Sequence, residues 1–468
     1  MSRNATEFRK ASARSALDEK QQGLLSKAIG NYLSKRDAGR KRFRDWEGAR
    51  RQAEAIKTEA LENLDKYLAQ FMEKVQENGG TVYCAEDEAA ARNYITGLAV
   101  ERGVKSVVKS KSMTTEEIHL NGALEKKGIK VLETDLGEFI VQLAGQTPYH
   151  IVFPAVHMSR GEVSQLFNEK LGTAKTDDIE GLTMIAREHL RKEYCSADMG
   201  ISGANFAVAE TGMISITENE GNARLTMALP RIHVAVVGIE KILPRMADLA
   251  FFLQVLPTMG TGQWMSCYNT LVGGARGVNE VDGPGEFHVV LLDNGRSKLL
   301  ADAESREALR CIRCGGCLNV CPVYQTVGGH SYGTVYPGPI GAVITPLLKG
   351  LKEWGHLSYA SSLCEACTEI CPVRIGLHKR LLWNRHKYAD KYGSLAERIG
   401  FKGFAFVARR PLLWRMAGAI GALGQSLYPL IGWIPGNPGK GWVKGRSLPK
   451  ISWKSFRNMW IGRGGKVS

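Results

Sequence analysis

The first twenty residues contain no run of seven apolar side chains, because charged and polar residues interrupt every stretch from Met1 to Lys20. Secretory and twin-arginine leaders differ from this pattern, so the chain is expected to stay in the reducing cytoplasm. Ten cysteines among 468 residues are too sparse for a disulfide scaffold. No helix-turn-helix or zinc-finger spacing is present, which leaves no nucleic-acid partner expected. The Gly-rich strings do not follow a strand and open a helix, so the phosphate-cradling fingerprint of flavin and nicotinamide enzymes is missing as well. Acidic residues also run out, for none follows Glu397.

That last absence concentrates the charge. Between Arg385 and Ser468 sixteen Lys and Arg stand against Asp390 and Glu397, a balance of +14 out of the formal +15. Trp414, Trp433, Trp442, Trp453 and Trp460 punctuate this basic run. By charge alone such a tail suits nucleic acid, an anionic membrane surface or an acidic protein partner, against the plainer reading of a solvated basic face. The stretch Met416 to Ile434 approaches the length of a membrane span, but Gln425, Ser426 and Pro429 interrupt it. An interfacial or partner-binding segment is expected there, making the protein cytoplasmic with peripheral membrane contact through its tail.

The length calls for several cores. Residues 1–78 are rich in Ala, Glu, Lys, Arg and Gln, with apolar residues at helical spacing through Leu61, Leu64, Tyr67, Leu68 and Phe71, and predict an N-terminal helical region. Residues 79–295 alternate short apolar runs with helical stretches and predict an α/β domain. Its expected strands are 81–84, 106–108, 130–132, 150–153, 206–209, 213–216, 233–237 and 287–292, with helices over 88–100, 116–127 and 182–194 among them. Residues 301–392 lack a long β-rich run and predict helices wrapped around metal, and 393–468 form the basic, Trp-rich tail.

The metal is read from seven cysteines. Cys311, Cys314, Cys317 and Cys321, followed by Pro322, reproduce the two, two and three residue spacing of bacterial ferredoxins. Three such thiolates wrap one face of a 4Fe-4S cube while the fourth serves a second cluster, a division that zinc, with four ligands in paired groups, does not use. Cys364, Cys367, Cys371 and Pro372 repeat the template with Ser361 in the first position. Crossed pairing assigns Cys311, Cys314, Cys317 and Cys371 to a 4Fe-4S cluster, and Cys321, Cys364 and Cys367 to a second that is 3Fe-4S, or 4Fe-4S closed by Ser361 or water. Between the motifs, the glycines and prolines of 328–341 predict a structured loop, with His330 as a hydrogen-bonded loop residue rather than a ligand. Cys84, Cys195 and Cys267 stand apart and are expected to be buried thiols.

This cysteine segment, together with VVKSKSM at 107–113, ETDLGE at 133–138, NFAVAETG at 205–212 and VDGPGEFHVVLLDNGR at 281–296, resembles the lactate utilization protein B family. The resemblance implies a lactate-utilization domain over residues of about 70 to 295, with a fold similar to the sugar-phosphate isomerase and CoA-transferase group. It implies two companion subunits in a bacterial complex oxidising L-lactate to pyruvate, with the seven cysteines as cluster ligands and this chain as the electron-transfer subunit. Two rival readings remain, a small-acid-binding enzyme that uses the α/β domain itself and an iron-sulfur sensor. For the first, Lys109, Ser110, Lys111 and Ser112 in one string and Glu210, Thr211, Glu218, Asn219 and Glu220 in another stand at expected strand ends, with Glu210 or Glu220 as a candidate nucleophile.

Overall fold

The computed structural model describes residues 2–431, 451–452 and 454–464, with the side chains of the first stretch described to residue 425. Six strands form a parallel sheet in the order β1 (Thr81–Ala85), β10 (Glu286–Leu292), β7 (Ile232–Gly238), β4 (Met199–Gly203), β2 (Ser106–Lys109), β3 (Lys130–Glu133). The middle of that order is the most apolar. Every residue of β7 is buried, and Val234 pairs with Ile201 on one side and His288 on the other. A strand covered on both faces needs a nearly continuous apolar run, which Ile232, Val234, Ala235, Val236 and Val237 supply around the buried His233. Parallel neighbours also need crossovers, and helices deliver them. Asp87 starts the first, its carboxylate accepting the Ala90 N–H, and Asp135 does the same for Glu138 at the start of Leu136–Leu143.

A second, smaller sheet runs β8 (Ile242–Leu243), β5 (Phe206–Val208), β6 (Met213–Glu218), β9 (Tyr268–Val272). Before the sheets come four helices, α1 (Arg3–Ser15), α2 (Glu19–Arg40), α3 (Trp46–Glu62) and α4 (Leu64–Glu77). The cysteine segment shares its core with them: Leu25 and Ile29 of α2 and Ile56 of α3 join Phe252, Leu318 and Tyr324 in one buried cluster. Phe252 is fully buried, and truncating such a side chain to alanine costs about 3–5 kcal/mol.

Several expectations are corrected. Residues 150–153 are not a strand, because the Val152 and Phe153 N–H groups both donate to His150 Nδ1 and turn the chain. The stretch 116–127 is not one helix but two, Met113–Glu117 and Leu120–Glu125, broken where His119 takes a left-handed φ of 51°. The region after Tyr336 is more regular than its glycines and prolines suggest, for Gly338–Lys349 is a helix with Pro339 in its first turn, where the missing N–H costs nothing. Cys84, Cys195 and Cys267 are exposed rather than buried. Cys84 lies on the sheet-edge strand β1, of which only Ala85 is buried, and Cys195 lies in the last turn of Ile179–Ser196.

Residues Met1–Tyr388 form one compact unit and Ala389–Ser468 another. In the second, Ser394 and Glu397 form a capping box at the start of Leu395–Ala408, and Phe404 meets Trp414 of Pro411–Ile431 edge-on at 6.0 Å. Phe401, Trp414, Met416 and Ile420 are all more than half exposed. Among the described residues no helix is long and apolar enough to cross a membrane. Trp433, Trp442, Trp453 and the end of the run Met416 to Ile434 lie outside the described residues.

Candidate functional site

The two cysteine motifs fold into matching loops. In the first, Arg313 and Gly315 flank Cys314 with φ values of 59° and 72°; in the second, Leu363 and Glu365 flank Cys364 with 56° and 72°. Left-handed residues on both sides of a cysteine turn the chain around a common centre. At Gly315 an added Cβ would come within 3.0 Å of Val152 and 3.1 Å of His150, so a side chain there would make those neighbours shift. The loops match in their hydrogen bonds too. The Arg313 N–H donates to Cys311 Sγ at 3.4 Å, and the Leu363 N–H donates to Ser361 Oγ at 3.1 Å. Ser361 therefore stands in its loop as Cys311 stands in the other.

Crowding sorts the thiols into two groups. Burial pushes Cys314 far above the ordinary thiol range, and the neighbouring Cys311 and Cys371 push it further. Cys371 is pushed up to about 11 by burial and by Cys311, and Cys317 rises through burial, Cys311 and Cys314. In the other group, burial together with Cys321 and Cys364 pushes Cys367 up to about 12. Cys317 also feels Cys367, so the groups adjoin. None of the seven is in a disulfide. Among the described residues no three His, Cys, Asp or Glu side chains are grouped as ligands of a single metal ion. Backbone N–H groups of Tyr324 and Ile375 point at Cys321 Sγ and Cys371 Sγ, at 3.5 and 3.4 Å. Buried thiols crowded by like charge and met by N–H donors fit iron-sulfur groups, whose cationic irons would hold them as thiolates.

Helix α3 fastens the loops. Arg50 Nε donates to the Cys371 carbonyl at 3.0 Å, and Arg310, just before Cys311, reaches Glu54 at 2.5 Å. His330 is a hydrogen-bonded loop residue, its Nε2 at 2.7 Å from the Thr147 carbonyl and its ring edge-on to Tyr149.

On the sheet side of the first loop lies a cavity of about 330 Å³. It opens at the carboxyl ends of β2 and β4, where α/β sheets place their ligands, and Cys314 and Arg313 are part of its wall. Of the residues read from sequence, Ser110, Lys111, Ser112, Glu218, Asn219 and Glu220 line it. Three do not. Lys109 is fully buried and bound to Glu133 at 2.8 Å and Glu116 at 3.0 Å, so it is a structural cation. Glu210 accepts the Met246 N–H at 2.7 Å and serves a helix start, with Thr211 beside it outside the cavity. The Glu218 carboxylate accepts the Ala223 and Arg224 N–H groups, and Glu220 accepts the Leu136 N–H. Burial of its carboxyl end, then Asp135, pushes Glu220 up to about 7.

Sequence reading missed the charges that join cavity and cysteine loop. Arg296, 1% exposed, binds Glu117 at 2.8 Å and Glu240 at 2.6 Å, and Glu240 in turn reaches Arg313 at 3.1 Å. Tyr336 donates to Glu117 at 2.7 Å while the Arg313 guanidinium lies over its ring. Arg296 closes one family-like string and Arg313 sits inside the first cysteine motif, but nothing in the sequence pairs them.

Three families match successive parts of the chain. The LUD domain family matches residues 68–292, the 4Fe-4S dicluster domain 307–375, and the C-terminal family of lactate utilisation protein B 386–465. "Uncharacterized electron transport protein YkgF" of Escherichia coli K12 is 44% identical over 93% of each chain. "Lactate utilization protein B" of Oceanobacillus iheyensis is 43% identical over 94% of this chain and 92% of its own, and that of Shouchella clausii 44% over 95% of both. A crystal structure of a duf162 family protein from Deinococcus radiodurans covers 49% of this chain and 98% of its own at 15% identity, but its TM-score of 0.28 carries no argument. With relatives this similar along nearly its whole length, and a dicluster domain over the cysteine loops, the chain belongs to the lactate utilization protein B family.

Proposed function

We propose that this protein is the iron-sulfur electron-transfer subunit of a bacterial complex that oxidises L-lactate to pyruvate, acting with two companion subunits. The observation that carries this reading is the pair of matching cysteine loops, with their thiols in two adjoining groups. Cys311, Cys314, Cys317 and Cys371 would hold a 4Fe-4S cluster, and Cys321, Cys364 and Cys367 a second, with Ser361 in its fourth position. When bound, each cluster takes up and releases one electron at a time. The chain's own residues supply the rest: the loops hold the thiolates, backbone N–H groups point at Cys311, Cys321 and Cys371, and the shared core around Leu318 and Tyr324 keeps water out. The family names of the relatives support the pathway, and the all-parallel six-stranded sheet is compatible with the sugar-phosphate isomerase and CoA-transferase group. The basic tail suits a peripheral contact with the cytoplasmic membrane surface or with the companions.

The test is anaerobic reconstitution followed by iron analysis and lactate-dependent reduction with and without the companion subunits. About seven or eight irons per chain and reduction only in the complex are expected. About one iron per chain with stoichiometric zinc would end the cluster reading, and dye reduction by the pure chain with lactate would favour the rival enzymatic one.

A further inference from the structure

Lys241 and Arg313 approach each other in the wall of the cavity, and the protein leaves both with unused bonding capacity. Lys241 is 7% exposed, and among the described residues its Nζ has no hydrogen bond or ion pair. Arg313 has an 8% exposed side chain; Glu240 takes its Nη2, but its Nη1 is buried without a partner. A buried donor left unsatisfied costs about 1–3 kcal/mol, more when charged, so the unpartnered Arg313 Nη1, with the unbonded Lys241 ammonium in the same cavity wall, favours an anion. Asp135, Glu218 and Glu220 also line the cavity, and they oppose a multiply charged ligand. Neutral donors and acceptors are available on Ser110, Ser112 and Asn205. One negative charge and one neutral polar group satisfy this wall, and the volume suits a small molecule.

We propose that the cavity binds a small monocarboxylate bearing a hydroxyl or keto oxygen, with its carboxylate on Arg313 and Lys241, and that its occupancy is linked to the redox state of the adjoining cluster. The linkage rests on the reading of Cys311, Cys314, Cys317 and Cys371 as cluster ligands. Arg313 stands between Cys311 and Cys314, and Cys314 shares the cavity wall. Reduction adds one negative charge to that ligand set, and at short range in a water-poor site like charges repel. The anion therefore binds the oxidised protein more tightly, and by reciprocity its binding lowers the reduction potential. A tenfold preference corresponds to about 59 mV for one electron.

The experiment titrates pyruvate and L-lactate calorimetrically into the full, cluster-loaded chain, oxidised and then reduced with dithionite, at matched ionic strength. At least tenfold tighter binding to the oxidised form is expected, with a downward shift of one cluster's potential in a titration followed by paramagnetic resonance. Lys241→Gln breaks no bond within the protein, so it should weaken binding tenfold or more while iron content and spectra stay unchanged. Absence of pyruvate and L-lactate binding to a fully loaded chain would overturn the site, and equal binding to both redox states would overturn the linkage. Inorganic phosphate binding as tightly as pyruvate would overturn the ligand class. A chain that fails to take up iron would instead defeat the cluster reading; there, pyruvate binding by the metal-free chain that is lost in Lys241→Gln supports the cavity, and no binding overturns it.

Discussion

Replacing Glu240 with glutamine should be among the most costly single changes that preserve shape in this protein. Its carboxylate is 1% exposed and bridges Arg296 at 2.6 Å to Arg313 at 3.1 Å. Burial alone would push the carboxyl up, but Arg296, Arg313 and Lys241 overcome it and hold the pKa down to about 2. A depressed carboxyl contributes stability that is present above its unfolded pKa near 4.5 and is lost as pH falls through 2. Two and a half units at 1.36 kcal/mol each give about 3 kcal/mol at pH 7. Breaking a buried pair by removing one partner gives about 3–5 kcal/mol independently, because Arg296 and Arg313 keep their charge. With an unfolding entropy of about 2.1 cal/mol/K per residue, the unit Met1–Tyr388 has about 0.8 kcal/mol/K, so its melting temperature should fall by about 4–6 °C. Calorimetry at pH 7 on cluster-loaded protein measures this, with Arg313→Gln and the double variant beside it. The two single changes should be strongly non-additive, since each removes the same bond. A drop below about 1 °C, or full additivity, would refute the assignment of Glu240 as the tether between the sheet ends and the first cysteine loop.

Other perturbations reach other parts of the molecule. Ser361→Cys should give the second cluster a fourth thiolate and change its paramagnetic resonance spectrum while leaving the first cluster's alone; an unchanged spectrum in both redox states would show that position 361 faces away from it. His233 is fully buried with its Nε2 at 2.8 Å from Ser202 Oγ, and burial, then His288, lowers its pKa to about 3. A histidine so depressed supports the fold above pH 6.5 and loses that support as pH falls towards 3, so between pH 6.5 and 5 it should cost about 2 kcal/mol. His233→Gln should remove that part of the acid sensitivity in urea unfolding at the two pH values; an identical loss in both proteins would contradict it. Deleting residues 400–468 should leave iron content unchanged, since no cysteine lies beyond Cys371, yet weaken salt-sensitive sedimentation with anionic vesicles or companion subunits. Full sedimentation of the truncated chain at low salt would return the tail to a solvated basic face.

The sequence by itself determined the parts whose physics is local. Cysteine spacing sets which thiols share a face, and the chain turns at Arg313, Gly315, Leu363 and Glu365 around those same residues. Apolar runs such as Ile232 to Val237 announced the buried parallel strands for a similar reason, since burial on both faces demands them. Tertiary structure decided what local pattern does not encode. β4, as Met-Gly-Ile-Ser-Gly, and β9, as Tyr-Asn-Thr-Leu-Val, carry mixed patterns that become strands through their neighbours. Glu210 and Glu220 look alike on paper and each accepts a helix-start N–H, but packing sets only Glu220 in the cavity. Lys241 follows the sheet strand β7 and Arg313 sits in the cysteine loop, and only the tertiary fold brings them into one wall, alongside Leu256, Pro257 and Gly260 of the helix Met246–Gly260. Charges far apart in sequence interact through distance in space, a quantity that spacing along the chain does not contain.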